Sequence, residues 1–280
     1  MTAPVIISGL RDIAPDYDAL ICDVWGVLHD GMRPHWAAVE ALRRFRAERG
    51  RVVLLSNAPR PPEDIVRQLA QIGVPADCYD AIVTSGGAAR DDLASRAAEG
   101  TLKLMHLGPE RDHNLYDGLD IDLVGPDKAS LVLLSGLYDD ETETPEDYKP
   151  VLAELKSRLL TMVCANPDVV VPRGGKLVPC AGALARDYES LGGEVVYYGK
   201  PHLPIFRVAL EALGDAKRVL VIGDGIETDI KGANAAGLDA LFIVHGVHAR
   251  EAGVPTPENL ANFFDKKGVK VRAAMGALAW

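Results

Sequence analysis

Short apolar runs, each closing on a polar group, alternate along this chain with segments of helical spacing. The first run predicts a strand over 20–25 that carries a carboxylate at Asp23 and then breaks into Val24-Trp25-Gly26-Val27-Leu28-His29-Asp30-Gly31. An amphipathic helix follows over 35–48, with Trp36, Val39, Leu42 and Phe45 near the 3.6-residue period, and Gly50 stops it. A second strand over 51–55 ends on Ser56-Asn57. Pro61, Pro62 and Glu63 open a helix that runs to Gln71, ahead of Gly73. A third strand over 81–83 ends on Thr84-Ser85. Strand–helix–strand units of this length predict right-handed crossovers and a mainly parallel sheet.

The pattern then restarts. Strands are predicted over 102–107, 129–135 and 161–165, with the acidic stretch 139–146 as a solvated loop leading into a helix. Further strands over 194–198, 218–222 and 240–244 follow, the last of these closing the strand pattern. The simplest organisation is a three-layer, Rossmann-like α/β core built from 1–85 and 193–280, interrupted by a smaller inserted α/β domain at roughly 86–192. Ser85-Gly86-Gly87 and Leu191-Gly192-Gly193 read as the two crossings, where hinges tend to sit. No internal repeat or low-complexity segment stands out.

Composition narrows the class without naming a function. With 280 residues, 48% of them apolar and 25% charged, the chain is long enough for one large or two modest globular domains. A net charge of -10 disfavours nucleic acid and anionic membrane as the main partner, yet says little about a small anion, since a bound metal inverts the local field. The first nine residues lack the basic stretch of a signal peptide, and no segment approaches about 18 apolar residues. Cys22, Cys78, Cys164 and Cys180 show no zinc or redox spacing. The expectation is a reduced cytoplasmic protein with buried thiols.

Candidate chemistry lies where the strands end: Asp23, Ser56-Asn57, Lys200, and Asp224 with Asp229. Parallel strands bring such groups to one edge of a sheet, the edge where open α/β sheets bind ligands. Each has a plain structural account taken singly. A lone Asp caps or turns, Ser-Asn turns, Lys200 before Pro201 is a solvated lysine, and Asp224-Gly225 is a turn. Their joint occurrence, each after an apolar run, is much harder to ascribe to chance.

In this ordered set the sequence resembles the haloacid dehalogenase superfamily, class IIA (NagD-like) branch, over nearly its whole length. Asp23-Val24-Trp25-Gly26-Val27-Leu28 is similar to the first motif, Leu54-Leu55-Ser56-Asn57 to the second and Lys200-Pro201 to the third. Gly223-Asp224-Gly225-Ile226-Glu227-Thr228-Asp229-Ile230 matches the fourth, and Ala165-Asn166-Pro167-Asp168 looks like a segment of the class IIA cap. The resemblance implies a Mg²⁺-dependent hydrolase of a small phosphorylated metabolite, with Asp23 attacking phosphorus to form an aspartyl-phosphate. It implies metal ligation by the Asp23 carboxylate, the Trp25 backbone carbonyl and the Asp224 carboxylate. Lys200 keeps Asp23 ionised and, with Ser56 and Asn57, holds the phosphoryl oxygens, while Asp229 orients Lys200 or a metal-bound water. The inserted cap would close over the core, with Asn166, Asp168, Arg173 and Lys176 as contributors to substrate choice and Arg173-Gly174-Gly175 as a tip. A homodimer is compatible with this reading.

The chain departs from the family at Trp25, where phosphatases of this kind normally carry the Asp that serves as general acid and base. Indole does neither, and such help is typically worth about 10²- to 10⁴-fold. A weak phosphatase, or one restricted to good leaving groups, is therefore expected; His29 and Asp30 lie close by, but residues beyond such a loop usually point away, which argues against either as a replacement acid. Two alternatives stay open: a non-catalytic or regulatory phosphometabolite-binding protein, and dehalogenase-like hydrolysis at carbon, which the Asp224 and Asp229 pair disfavours. No G-x-G-x-x-G follows the first strand and no G-x-S-x-G occurs, which argues against dinucleotide enzymes and serine hydrolases.

Overall fold

The computed structural model describes residues 4–173, 176–246 and 255–280, and the side chains of 172–176 lie outside the description. In chain order the elements begin with β1 (Val5–Ile6), β2 (Ala19–Asp23), α1 (Trp36–Glu48), β3 (Arg51–Ser56), α2 (Pro62–Gln71), β4 (Ala81–Thr84) and α3 (Ser85–Ala97). Next come β5 (Leu102–Leu107), β6 (Ile121–Leu123), β7 (Leu131–Leu134), α4 (Lys149–Ser157), β8 (Met162–Cys164), β9 (Val170–Arg173), β10 (Lys176–Pro179) and α5 (Ala181–Ser190). The chain finishes with β11 (Val195–Tyr197), α6 (Leu203–Leu213), β12 (Val219–Gly223), α7 (Lys231–Ala235), β13 (Asp239–Ile243), α8 (Pro257–Lys267) and β14 (Ala273–Met275). They form two compact units. One comprises Met1–Ser56, Glu63–Val83 and Lys200–Trp280; the other comprises Asn57–Pro62 and Thr84–Gly199.

The first unit is built on a seven-stranded sheet in the order β1-β14-β13-β12-β2-β3-β4, parallel at each pairing from β1 through β3. Strand β2 is buried along its whole length, as expected of a strand covered on both faces by crossover helices. On one face Ile21, Val53, Val221 and Phe242 pack with Ile205, Phe206 and Ala209 of α6 and with Leu260 and Phe264 of α8. Helix α1 buries Val39, Leu42 and Phe45 as its period predicts. Trp36 departs from that stripe: it stands at the first helical position with 60% of its surface exposed.

Chain order reverses at the middle of this sheet. From β2 the chain moves outward through β3 and β4, and from β12 it moves the other way through β13 and β14. The β2/β12 boundary is thus the topological switch point, where the following loops diverge and leave a crevice at the carboxyl ends. The last-strand expectation at 240–244 is corrected here, since β14 extends the sheet and β1 adds to it. Strands of two and three residues are too short to show a period.

The second unit has its own five-stranded parallel sheet, β11-β8-β7-β5-β6. Alternation along β7 feeds two cores. Val132 and Leu134 join Leu152, Leu184 and Tyr188 on one side, while Leu131 and Leu133 join Leu93, Val163 and Ala165 on the other. Strands β9 and β10 form an antiparallel hairpin in which Arg173 faces Lys176, and Gly174-Gly175 lies outside the described residues.

Ser85-Gly86-Gly87 lies directly after the unit boundary at Val83/Thr84 and forms the first turn of α3, whereas the second boundary falls at Gly199/Lys200 and not at Leu191-Gly192-Gly193. Thr84 caps that helix, its Oγ1 accepting the Gly87 N–H at 2.9 Å and donating to the Arg60 carbonyl at 2.7 Å. The Gly86 N–H bonds the Ala58 carbonyl, and a β-carbon on Gly86 would fall 2.3 Å from the Arg60 nitrogen. Close backbone approach, not flexibility, is why glycine stands there.

Candidate active site

Register places the candidate groups side by side. Cys22 pairs with Ile222 on one side and Leu54 on the other, so Asp23, Ser56 and Asp224 emerge from three adjacent strands at the same carboxyl edge. Adjacent strands lie about 4.8 Å apart, which brings these side chains within reach of one another. Asp23, Lys200, Asp224 and Asp229 are all buried. Ligand oxygens of Asp23, Asp224 and Asp229 lie within 4.8 Å of one another.

Lys200 ties this cluster together. Its Nζ donates to Asp23 Oδ1 at 2.6 Å and to Asp229 Oδ1 at 2.7 Å. After β12 the chain makes a single π turn over Ile226–Ile230, a local widening common at functional sites. The turn folds Asp229 back, so its Oδ2 accepts the Gly225 N–H at 3.1 Å and the Thr228 hydroxyl at 3.3 Å. Burial pushes the Asp23 carboxyl well above its ordinary range, the Asp229 charge adds to this, and Lys200 opposes it. Burial alone would lower the Lys200 ammonium, but the Asp229 and Asp23 charges outweigh it and hold Lys200 protonated.

Three buried carboxylates face one ammonium, and clustered hard oxygens are the donor set of a small divalent cation. The residues therefore fit such an ion. Two glycines shape its surroundings. Gly26 has φ +85°, a conformation disfavoured for other residues, and a β-carbon on it would lie 2.5 Å from Asp224 Oδ2. A β-carbon on Gly246, just beyond β13, would lie 1.9 Å from the same oxygen. Nothing in the sequence marks Gly246, since its approach to Asp224 is made by the fold alone.

The loop after β2 settles what its polar residues do. Gly26 N–H bonds the His29 carbonyl and Leu28 N–H bonds the Val24 carbonyl, closing a tight turn. The Trp25 ring is 42% exposed, meets the His29 ring edge-on at 5.3 Å, and lies across Gly31, where a β-carbon would fall 2.4 Å from it. His29 is buried and its Nδ1 accepts the Gly31 N–H at 2.8 Å. Burial, with His35 nearby, lowers its pKa to about 4, so the ring is neutral with its hydrogen on Nε2. Asp30 is exposed, and its Oδ1 accepts the Met32 and Arg33 N–H groups, both at 2.8 Å. Neither residue is arranged as a replacement acid.

The remaining candidates assemble in the second unit. Asn57 Nδ2 donates to Asp168 Oδ1 at 2.9 Å, and the Asp168 N–H bonds Asn166 Oδ1 at 3.1 Å. Arg173 and Lys176 are placed by backbone only, across the β9–β10 hairpin. At the opposite, amino-terminal edge of the first sheet, a cavity of about 390 Å³ is lined by Asp18, Arg51 and Gly214. Asp18 is paired there with Arg218 at 2.6 Å, and no acid cluster accompanies it among the described residues.

Comparison with known proteins shows the family. A family model for haloacid dehalogenase-like hydrolases matches residues 20–122, and a second HAD-like hydrolase model matches 197–265. The crystal structure of a hydrolase of the haloacid dehalogenase-like family from Brucella suis 1330 superposes with a TM-score of 0.85 at 43% identity, covering 98% of this chain and all of that one. The ribonucleotide monophosphatase NagD of Escherichia coli K12 is 30% identical over 81% of this chain and 88% of its own length. D-glycerol 3-phosphate phosphatase of Mycobacterium tuberculosis is 29% identical over 86% of this chain but only 66% of its own length. A glycerol phosphate phosphatase from that organism, crystallised in complex with magnesium, superposes with a TM-score of 0.66 at 27% identity, covering 88% and 73% of the two chains. The chain belongs to the haloacid dehalogenase-like hydrolases.

Proposed function

We propose that this chain hydrolyses a small phosphate monoester through attack of Asp23 on phosphorus, with Mg²⁺ as its cofactor. The observation that carries the reading is the Lys200 ammonium bridging Asp23 and Asp229, with Asp224 alongside, at the switch point of a parallel sheet. Asp23 Oδ2, the oxygen not bonded to Lys200 Nζ, is the attacking atom. Asp23, the Trp25 carbonyl and Asp224 would hold the cation, which when bound neutralises charge on the phosphoryl oxygens. Lys200 keeps Asp23 ionised and lends its positive charge to the same oxygens. Ser56 donates to them as well, and Asn57 and Asn166 are assigned to polar groups of the substrate. Asp229 positions Lys200 and touches no reacting atom.

Trp25 stands at the position of the family's general acid and base, and its loss predicts slow turnover that depends on the leaving group. The M. tuberculosis and E. coli relatives act on glycerol 3-phosphate and ribonucleotide monophosphates, so small polyol, sugar and nucleoside phosphates are the class to try. Phosphate release from such a panel and from an aryl phosphate, with Mg²⁺ or with a chelator, tests the reading. Release that requires Mg²⁺ and is fastest with the aryl ester supports it. Release indifferent to chelation contradicts it.

A further inference from the structure

We propose that Asp23 takes its phosphoryl group from donors whose leaving group departs without a proton, acyl phosphates foremost, and that the aspartyl-phosphate then persists instead of turning over freely. The inference deepens the hydrolase reading and rests on it. In the first step an Asp23 oxygen forms a bond to phosphorus while the bond from phosphorus to the leaving oxygen breaks, its electron pair going to that oxygen. An alkoxide leaving this way needs a proton. A carboxylate, with a pKa of ~4, does not. In the second step a water oxygen bonds phosphorus, Asp23 leaves as a carboxylate, and a water proton has to go to a base.

Among the described residues of the first unit, the groups near Asp23 are poorly suited to either proton transfer. Trp25 has a donor N–H and no acceptor. His29 Nδ1 is occupied by the Gly31 N–H, which leaves the ring's hydrogen on Nε2 and no lone pair for a water proton. Asp30 Oδ1 accepts two backbone N–H groups of its own turn. Lys200 is an ammonium held between two carboxylates, and both Asp229 oxygens accept hydrogen bonds. Lys200, Ser56 and the cation that the acid cluster would hold equip the site to stabilise charge on the phosphoryl oxygens, whereas the part that moves protons is replaced by indole. The first step with an acyl phosphate needs only the former, and hydrolysis of the aspartyl-phosphate needs both.

The test uses the full chain with Mg²⁺ and acetyl phosphate, followed by intact-mass spectrometry and by the time course of donor consumption. The wild type is expected to gain one phosphoryl group per chain, removable by hydroxylamine, with a stoichiometric burst ahead of slow turnover. Asp23→Asn should gain nothing, and Trp25→Asp should turn over on the order of 10²-fold faster without accumulating the adduct. Steady turnover with neither burst nor adduct, abolished in Asp23→Asn, would overturn the persistence and leave the hydrolase reading intact. So would aryl phosphate hydrolysis without any reaction toward acetyl phosphate. Turnover or labelling that survives Asp23→Asn would overturn both.

Discussion

Gly26 illustrates how much of this site rests on single positions. It follows Trp25 in a left-handed conformation, and a methyl group there would press on Asp224 Oδ2 at 2.5 Å. The left-handed strain alone costs about 1–2 kcal/mol for a residue with a β-carbon. Gly26→Ala is therefore expected to lower stability by about that much in chemical denaturation, and to reduce Mg²⁺-dependent phosphate release at least ~10-fold through displacement of Asp224. Unchanged activity in a folded variant would remove Gly26 from the account. Legibility in the sequence follows the same logic. Asp23, Ser56 and Asp224 could be found because each ends a buried apolar run, and a buried strand announces itself. Gly246 could not, because its importance comes from a neighbour 22 residues earlier in sequence that only the fold brings close. His29 carried a polar label that the fold spends on a backbone N–H.

Among the elements, α3 was the least legible. Ser85-Gly86-Gly87 contains two poor helix formers, and the segment Ser85–Ala97 scatters small residues around its circumference, so neither propensity nor period marks it. Its start is fixed by Thr84, which caps the helix and ties the preceding strand to the Arg60 carbonyl. Thr84→Val keeps the shape and removes both bonds. It should cost about 1–2 kcal/mol in denaturant unfolding, while Thr84→Ser should recover most of that loss. A Val variant as stable as wild type would mean that the cap contributes nothing. The long runs behind β2, β3 and β12 predict these strands to within two residues at either end, because parallel strands buried on both faces leave an unbroken apolar signature.

On the scale of the whole molecule, two sheets with separate cores predict that unfolding need not be a single transition. Asp112 provides a handle on the second unit alone. Burial raises its carboxyl pKa to about 6, with the Ser135 hydrogen bond, Arg111 and Arg60 opposing the rise. A raised carboxyl pKa means the folded state binds the proton more tightly than the unfolded chain does. The resulting stabilisation is complete below about pH 4 and is lost as pH rises to about 6, with a span of up to about 3 kcal/mol. Asp112→Asn should flatten that dependence in the unit that contains it, as followed by hydrogen exchange across pH 4–7. An equally steep profile in the variant would assign it to other groups. No described helix is long and apolar enough to cross a membrane.

The proposed mechanism has Asp23 as nucleophile and Trp25 in place of the general acid. Both are tested together by Mg²⁺-dependent phosphate release from an aryl phosphate, measured for wild type, Asp23→Asn and Trp25→Asp. The prediction is slow release by the wild type, none by Asp23→Asn, and release faster by on the order of 10²-fold in Trp25→Asp. Release that persists in Asp23→Asn would contradict the mechanism at its first step.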